Sequence, residues 1–362
     1  MMNSLRKTLI MLWIIGLLFC AAGCGDEEQQ TEQPETPPEV EPEPEPEPDP
    51  IYNPLTGLEV EEEIHARIIA VSTDNHPAAR PQSGISQADI VYEVPAEGNI
   101  PRFLALYYGQ QPESVGPIRS ARPYVIDIAR GWGALFVHCG GSPDAYSYLS
   151  GPAVVSIDEI AYGSYFWRDY TLHSNEHTLY TSISNMYDYL EYREKPLEQE
   201  ISGWLEFRQD GAPPAATEKA DRLLFDYTDT QNIYVYDSES GLYARYIGEY
   251  PFTDANNGEQ IKAANVIMQR VSSSVLDSAG RLAIDMCAGG EALLFSGGRV
   301  VRGTWSRSSL DANTQYFDAN GNPFTLAPGQ TWIQICDGNV TVEFLDTTAP
   351  PAAKGSGEAS AQ

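Results

Sequence analysis

Arg67-Ile-Ile-Ala-Val-Ser-Thr-Asp-Asn75 is a run of β-branched and small apolar residues that stops in polar turn formers, which predicts a buried strand. Two more strands follow it. Ala88-Asp-Ile-Val-Tyr-Glu-Val94 alternates, and Pro101-Arg-Phe-Leu-Ala-Leu-Tyr-Tyr108 reads as its partner, with Glu97-Gly98-Asn99 as the turn between them. Beyond Gly116-Pro117, Pro123 suits a first helical turn, and Tyr124, Ile128 and Trp132 recur at helical spacing. Ala134-Leu-Phe-Val-His-Cys139 is then a buried strand stopped by Gly140-Gly141. A short helix over 144–149, a strand over 153–157 and a tyrosine-rich helix over 180–193 complete the series. Strands interleaved with helices predict a mixed α/β domain over residues 52–207.

The pattern then changes. Residues 208–220, with Gly211-Ala-Pro-Pro-Ala-Ala216, have the composition of a linker. Residues 221–346 carry strand signals at 223–227, 232–236, 242–247, 265–270, 282–286, 292–295 and 299–305. Ser296-Gly-Gly298 and Asp318-Ala-Asn-Gly321 are hairpin signals. The expected fold class is therefore α+β: a mixed α/β first domain, then a mostly antiparallel β domain, a small barrel or sandwich. Residues 347–362 are small, polar and Pro-containing, the composition of a disordered tail.

At the start of the chain, Arg6 and Lys7 precede an apolar run over residues 8–19, and Ala21-Ala22-Gly23 leads into Cys24. This is the layout of a bacterial lipoprotein signal, residues 1–23, with Cys24 as first mature residue. A diacylglycerol thioether at Cys24 would put two acyl chains of the palmitate type into the bilayer, enough for stable anchoring. The expected location is the extracytoplasmic face of a bacterial cell membrane. Residues 24–51 form the tether, closing in the alternation Glu41-Pro42-Glu43-Pro44-Glu45-Pro46-Glu47-Pro48-Asp49-Pro50. In polyproline II, at ~3.1 Å per residue, such a segment reaches up to roughly 80 Å. No second apolar run approaches the ~20 residues of a membrane span.

A formal charge of -29 argues against nucleic acid as a partner and against adhesion to anionic lipid through protein charge. Glycine-rich phosphate and dinucleotide loops are absent, and no cofactor is expected. With Cys20 in the signal and Cys24 at the anchor, Cys139, Cys287 and Cys336 remain. Either Cys287 and Cys336 form a bridge or all three are buried thiols.

Three clusters could carry chemistry. Arg119 and Arg122 flank Ser120 just before the helix that Pro123 opens, where free N–H groups and guanidinium forks together suit an anion. The same arginines could instead pair structurally with Glu93, Glu97 or Asp127. His173-Ser-Asn-Glu-His177 has a four-residue His spacing, but it reads as a loop rather than one helix face, so no metal site is expected. His177 is then a structural, pocket or catalytic histidine. In His138-Cys139 the two side chains leave a strand on opposite faces, which makes Cys139 an inert filler rather than a nucleophile.

Several segments together resemble the YerB-like lipoproteins of Gram-positive bacteria. In the first domain they are Asn75-His-Pro-Ala-Ala-Arg-Pro-Gln-Ser-Gly84, Ala88–Glu93, Gly116-Pro-Ile-Arg-Ser-Ala-Arg-Pro123, Gly140-Gly-Ser-Pro143 and His177-Thr-Leu-Tyr-Thr181. In the second they are Gly258-Glu-Gln260, Asn265-Val-Ile-Met-Gln269, Gly303-Thr-Trp-Ser306 and Pro328-Gly-Gln-Thr-Trp-Ile333. The resemblance spans about residues 52–340 and implies a two-domain extracytoplasmic lipoprotein without an activity to carry over. It marks Asn75, Arg80, Gln82, Ser83, Arg102, Arg119, Arg122 and Arg168 as ligand-binding candidates and Glu93, Glu97 and His177 as acid–base candidates. Asn99, Pro101 and Phe252 depart from the family pattern, Phe252 standing where a His is expected.

The function these readings favour is a non-catalytic envelope lipoprotein that binds an anionic or glycan-like ligand or an envelope protein. The alternative is a hydrolase or lyase acting on cell-wall polymer, with Glu93, Glu97 and His177 as acid–base groups and an arginine clamp. A solute receptor would need two similar α/β lobes, and the second half reads as β.

Overall fold

The computed structural model describes residues 49–347 apart from 202–204, 217 and 229. The signal peptide, Cys24, all but the end of the tether, and the tail beyond Thr347 lie outside the described residues.

One sheet holds ten strands drawn from both halves of the chain. Toward one end of it Ile69–Thr73 pairs antiparallel with Arg102–Tyr107 and parallel with Leu135–His138. Leu135–His138 in turn runs parallel to Ser156–Asp158. Ile90–Val94 lies antiparallel beside Arg102–Tyr107. Its other edge takes Thr331–Cys336 in parallel, with Val91 opposite Trp332 and Glu93 opposite Gln334. Thr331–Cys336 runs parallel to Asn265–Arg270 as well, and Gly289–Ser296, Arg299–Ser306 and Gln315–Asp318 extend the sheet antiparallel.

Side chains alternate across this sheet, so each strand feeds two apolar layers. Val71, Val91, Phe103, Val137, Phe295 and Trp332 face one side, and Ala70, Ile90, Leu104, Phe136, Leu294 and Ile333 the other. The second layer is covered by the helix Pro123–Gly131, which presents Tyr124, Val125 and Ile128. Over the first lie the helix Ile183–Tyr192 and a second sheet of six antiparallel strands. That sheet contains Arg222–Asp226, Gln231–Asp237, Leu242–Ile247 and Thr341–Leu345. Phe225 and Phe344 pack on Phe295, and Tyr234 on Trp332.

The mixed α/β first half and strand-dominated second half are the expected class. Neither sheet closes on itself, so the second half takes the sandwich form rather than the barrel. Three local expectations shift. The strand over 153–157 is the shorter Ser156–Asp158. Leu179–Tyr180 pairs with Trp167–Arg168, which delays the following helix to Ile183, where the Ser182 hydroxyl caps it by accepting from the Asn185 amide at 3.1 Å. Thr331–Cys336, which carries no strand signal in the alternation, is buried at every residue because it lies inside the sheet, paired in parallel on both edges and covered on both faces.

Candidate functional site

The three parallel strands Ile69–Thr73, Leu135–His138 and Ser156–Asp158 end on the same edge, the place where open α/β sheets gather ligands. Asp74 follows the first strand, Cys139-Gly140-Gly141 the second and Glu159 the third. The segment 116–122 is laid across these ends. Asp74 donates its amide to the Pro117 carbonyl at 2.8 Å, Arg119 to the Ser72 carbonyl at 2.8 Å, and Cys139 to the Arg119 carbonyl at 3.1 Å. Backbone pairing thus holds Arg119 between two strand ends before its side chain does anything.

That side chain meets Asp74. Arg119 Nε stands 2.7 Å from Asp74 Oδ2, and His177 Nδ1 is 2.7 Å from the same oxygen. The carboxylate therefore orients an imidazole and a guanidinium together, and His76 stacks on His177 with centroids 4.9 Å apart. Asp74 and His177 are buried, Arg119 keeps a quarter of its side chain in solvent, and its Nη2 reaches the exposed Glu176 at 3.1 Å. Arg119 Nη1 meets no acceptor among the described residues.

A second group forms around Glu97. Arg122 grips its carboxylate with two nitrogens, Nε at 2.5 Å and Nη2 at 3.2 Å, while Arg102 Nη2 stands 3.4 Å away. Arg102 also donates to the Ser120 carbonyl at 2.6 Å, and Arg122 to the Ser120 hydroxyl at 3.2 Å. Burial raises the Glu97 carboxyl, but the Arg122 hydrogen bond and the charges of Arg102 and Arg122 outweigh it and hold the group below the usual carboxylate range.

Glu93 belongs to neither group. It is wholly buried between the two sheets, with Arg245 Nη2 2.9 Å from its Oε2. Asn75 and Asn232 each donate to Oε1, at 3.1 and 2.8 Å. The Arg245 guanidinium lies in an aromatic cage, 4.4 Å from the Trp332 ring, 4.9 Å from Phe252 and 5.1 Å from Tyr234. Phe252, the departure from the family pattern, is one wall of that cage.

The remaining candidates are placed as follows. Asn75 also holds Arg80, accepting from its Nε at 3.1 Å and, through its carbonyl, from Nη2 at 2.7 Å. Gln82 is buried and donates to the Asp74 carbonyl at 2.7 Å, while Ser83 pairs through its backbone with Gly116. Arg168 donates to the Thr178 hydroxyl at 3.3 Å and lies 3.9 Å from Glu159. The sequence candidates thus divide among groups around Asp74, Glu97 and Glu93, with Arg168 apart beside Glu159, and Glu93, Glu97 and His177 do not share one. Cys139, Cys287 and Cys336 are free thiols. No set of three His, Cys, Asp or Glu side chains is placed to hold a metal ion among the described residues, and no helix there is long and apolar enough to cross a membrane.

Asp74 and Arg245 are the two functional neighbours that the sequence reading passed over. Asp74 looked like a turn former at a strand end. Arg245 follows Tyr243 at the two-residue period of an inward face, and a charge in that register signals a buried counter-ion.

Residues 55–196 match the profile of the "Protein of unknown function (DUF3048) N-terminal domain", and residues 223–333 that of the DUF3048 C-terminal domain. The chain belongs to the DUF3048 family. It is 37% identical over 287 residues to a Bacillus subtilis (strain 168) protein named "Putative lipoprotein YerB", covering 78% of this chain and 85% of that one. The crystal structure of YerB from Bacillus subtilis superposes with a TM-score of 0.73 at 34% identity, over 81% of this chain and 99% of the other. Within the DUF3048 framework the groups around Asp74 and Glu97 lie in the N-terminal domain. The Glu93–Arg245 pair joins the N-terminal domain to the C-terminal one.

Proposed function

We propose that this chain is a lipoprotein held at the outer face of a bacterial membrane through Cys24, and that it binds an anionic or glycan-like envelope ligand at the Asp74–Arg119–His177 edge without transforming it. The observation that carries the reading is Arg119: fixed by its backbone across two parallel strand ends, partly exposed, with Nη1 left for an acceptor. A guanidinium already oriented by one carboxylate is preorganised for a second anion. The binding reading is preferred to the catalytic one because the two candidate carboxylates, Glu93 and Glu97, are each engaged by arginine rather than free for wall-polymer cleavage.

Arg119→Ala should abolish co-sedimentation of the purified protein with cell-wall fragments while leaving its Tm within a few degrees. Retention equal to wild type would overturn the reading. Cys24→Ala tests the anchor separately, by moving the protein from the membrane to the soluble extracellular fraction.

One observation favours the alternative. Asp74 holds His177 through Nδ1, the arrangement that presents Nε2 as a general base. Release of soluble fragments from purified wall by wild type but not by His177→Gln would establish it.

A further inference from the structure

Between the two halves lies a cavity of about 290 Å³, with Arg80 and Pro81 on one side and Ile247, Tyr250, Pro251 and Phe252 on the other. Its size is at the small end of ligand pockets, and its walls are of two kinds. One is a cation. Asn75 holds the Arg80 guanidinium by Nε and Nη2, which fixes its orientation and leaves Nη1 without an acceptor among the described residues. Among the described residues no carboxylate comes within ion-pair distance of Arg80. The carboxylate it senses most strongly is Glu93, and Glu93 is committed to Arg245. Arg80 is thus a guanidinium with no carboxylate of its own among the described residues, in a chain whose formal charge is -29. Burial lowers Arg80 to about 10, so it still carries its charge at neutral pH.

The other wall is apolar and rigid. Phe252 is pinned edge-on against Phe103 and Trp332, at 5.8 and 6.3 Å between centroids, with its ring 4.9 Å from the Arg245 guanidinium. Tyr250 stands at the mouth with 80% of its surface exposed. A half-buried cation lining the same cavity as an aromatic and aliphatic wall matches a molecule with a negative end and a small apolar body.

We infer that this cavity binds an organic carboxylate whose neighbouring carbon carries a small apolar group, as at the free C-terminus of a short peptide, with Arg80 Nη1 taking the carboxylate and Phe252 and Tyr250 the apolar part. The site is separate from the Asp74–Arg119–His177 edge and does not rest on the reading of that edge.

Isothermal titration of the intact protein with N-acetyl-Ala-Ala, with its C-terminal amide, and with glucuronate tests the charge and the apolar body in turn. Saturable binding of the acid is expected, at least tenfold weaker for the amide and weaker for glucuronate. Arg80→Gln should abolish it, and Tyr250→Ala, at an exposed position that cannot disturb the core, should weaken it several-fold. Arg119→Ala should leave it unchanged. Absence of saturable binding by the acid, equal affinity for acid and amide, or unaltered affinity in Tyr250→Ala would each overturn the inference. Tighter binding of glucuronate than of the peptide would reassign the ligand to a sugar acid and overturn the peptide-like class.

Discussion

Glu93 and Arg245, 152 residues apart by their numbering, meet with Oε2 and Nη2 2.9 Å from each other and neither side chain exposed. Glu93 comes from the central sheet and Arg245 from the six-stranded sheet above it. Removing Arg245 leaves the buried Glu93 carboxylate without its counter-charge, held only by Asn75 and Asn232. Arg245→Met should therefore destabilise the protein by about 3–5 kcal/mol, whereas Glu93→Gln combined with Arg245→Met should recover much of that loss. Urea midpoints of the two single variants and the double variant measure this.

Asp89 should give the protein a pH dependence opposite to that of an ion-paired acid. Its carboxylate accepts from the Tyr108 amide at 2.6 Å and the Asn53 side chain at 3.0 Å, but burial is the larger effect and pushes it up to about 7 from 3.8. Between those values the folded chain keeps a proton that the unfolded chain has lost. The contribution to stability is full below the unfolded value and is lost as pH rises through the folded one. Asp89→Asn should flatten this slope. The difference in urea midpoint between wild type and variant, followed from about pH 4 to about pH 7, should grow in favour of the variant as pH rises.

Gly84 allows the family segment 75–84 to turn back toward 116. Its φ is +84°, and a Cβ there would lie 2.7 Å from the Ser114 carbonyl oxygen. Gly84→Ala should cost more than about 1 kcal/mol from backbone strain and crowding together. A lowered Tm with unchanged far-UV circular dichroism is the expected result.

Cys139 should resist alkylation despite its neighbour His138. Burial first, then its hydrogen bond to Glu159 at 3.3 Å, push the thiol up to about 12. At pH 8 the thiolate is on the order of 10⁻⁴ of the population. Mass spectrometry after brief iodoacetamide treatment should find Cys139 unmodified under conditions that label a free cysteine peptide fully.

Much of the fold was legible from local pattern. The runs around Ile69, Ile90 and Leu135 announce strands because their β-branched and aromatic residues alternate or crowd between turn formers. Which edges those strands share was not legible. The pairing of Val91 with Trp332 depends on a register set by packing across the whole body, and Thr331–Cys336 carries no alternation from which to read it. The arginines around Ser120 were visible as a group, but their partners were not. Periodicity gives the face on which Glu97 or Asp74 lies, whereas the identity of the group opposite is set by tertiary placement. Arg245 shows the remedy: a charge in the inward register of one strand, and Glu93 in a fully buried run of another, are a pair waiting to be matched.

The parallel ladder between Ile90–Val94 and Thr331–Cys336 bears on how the protein comes into being. The strand that covers one edge of the first half's sheet is among the last in the chain to become available for pairing. Until then Ile90–Val94 offers unpaired amides and carbonyls to any passing chain. Non-local closure of this kind slows folding and lengthens the vulnerable interval. The first half of the chain therefore completes its sheet only when residues 331–336 have joined it.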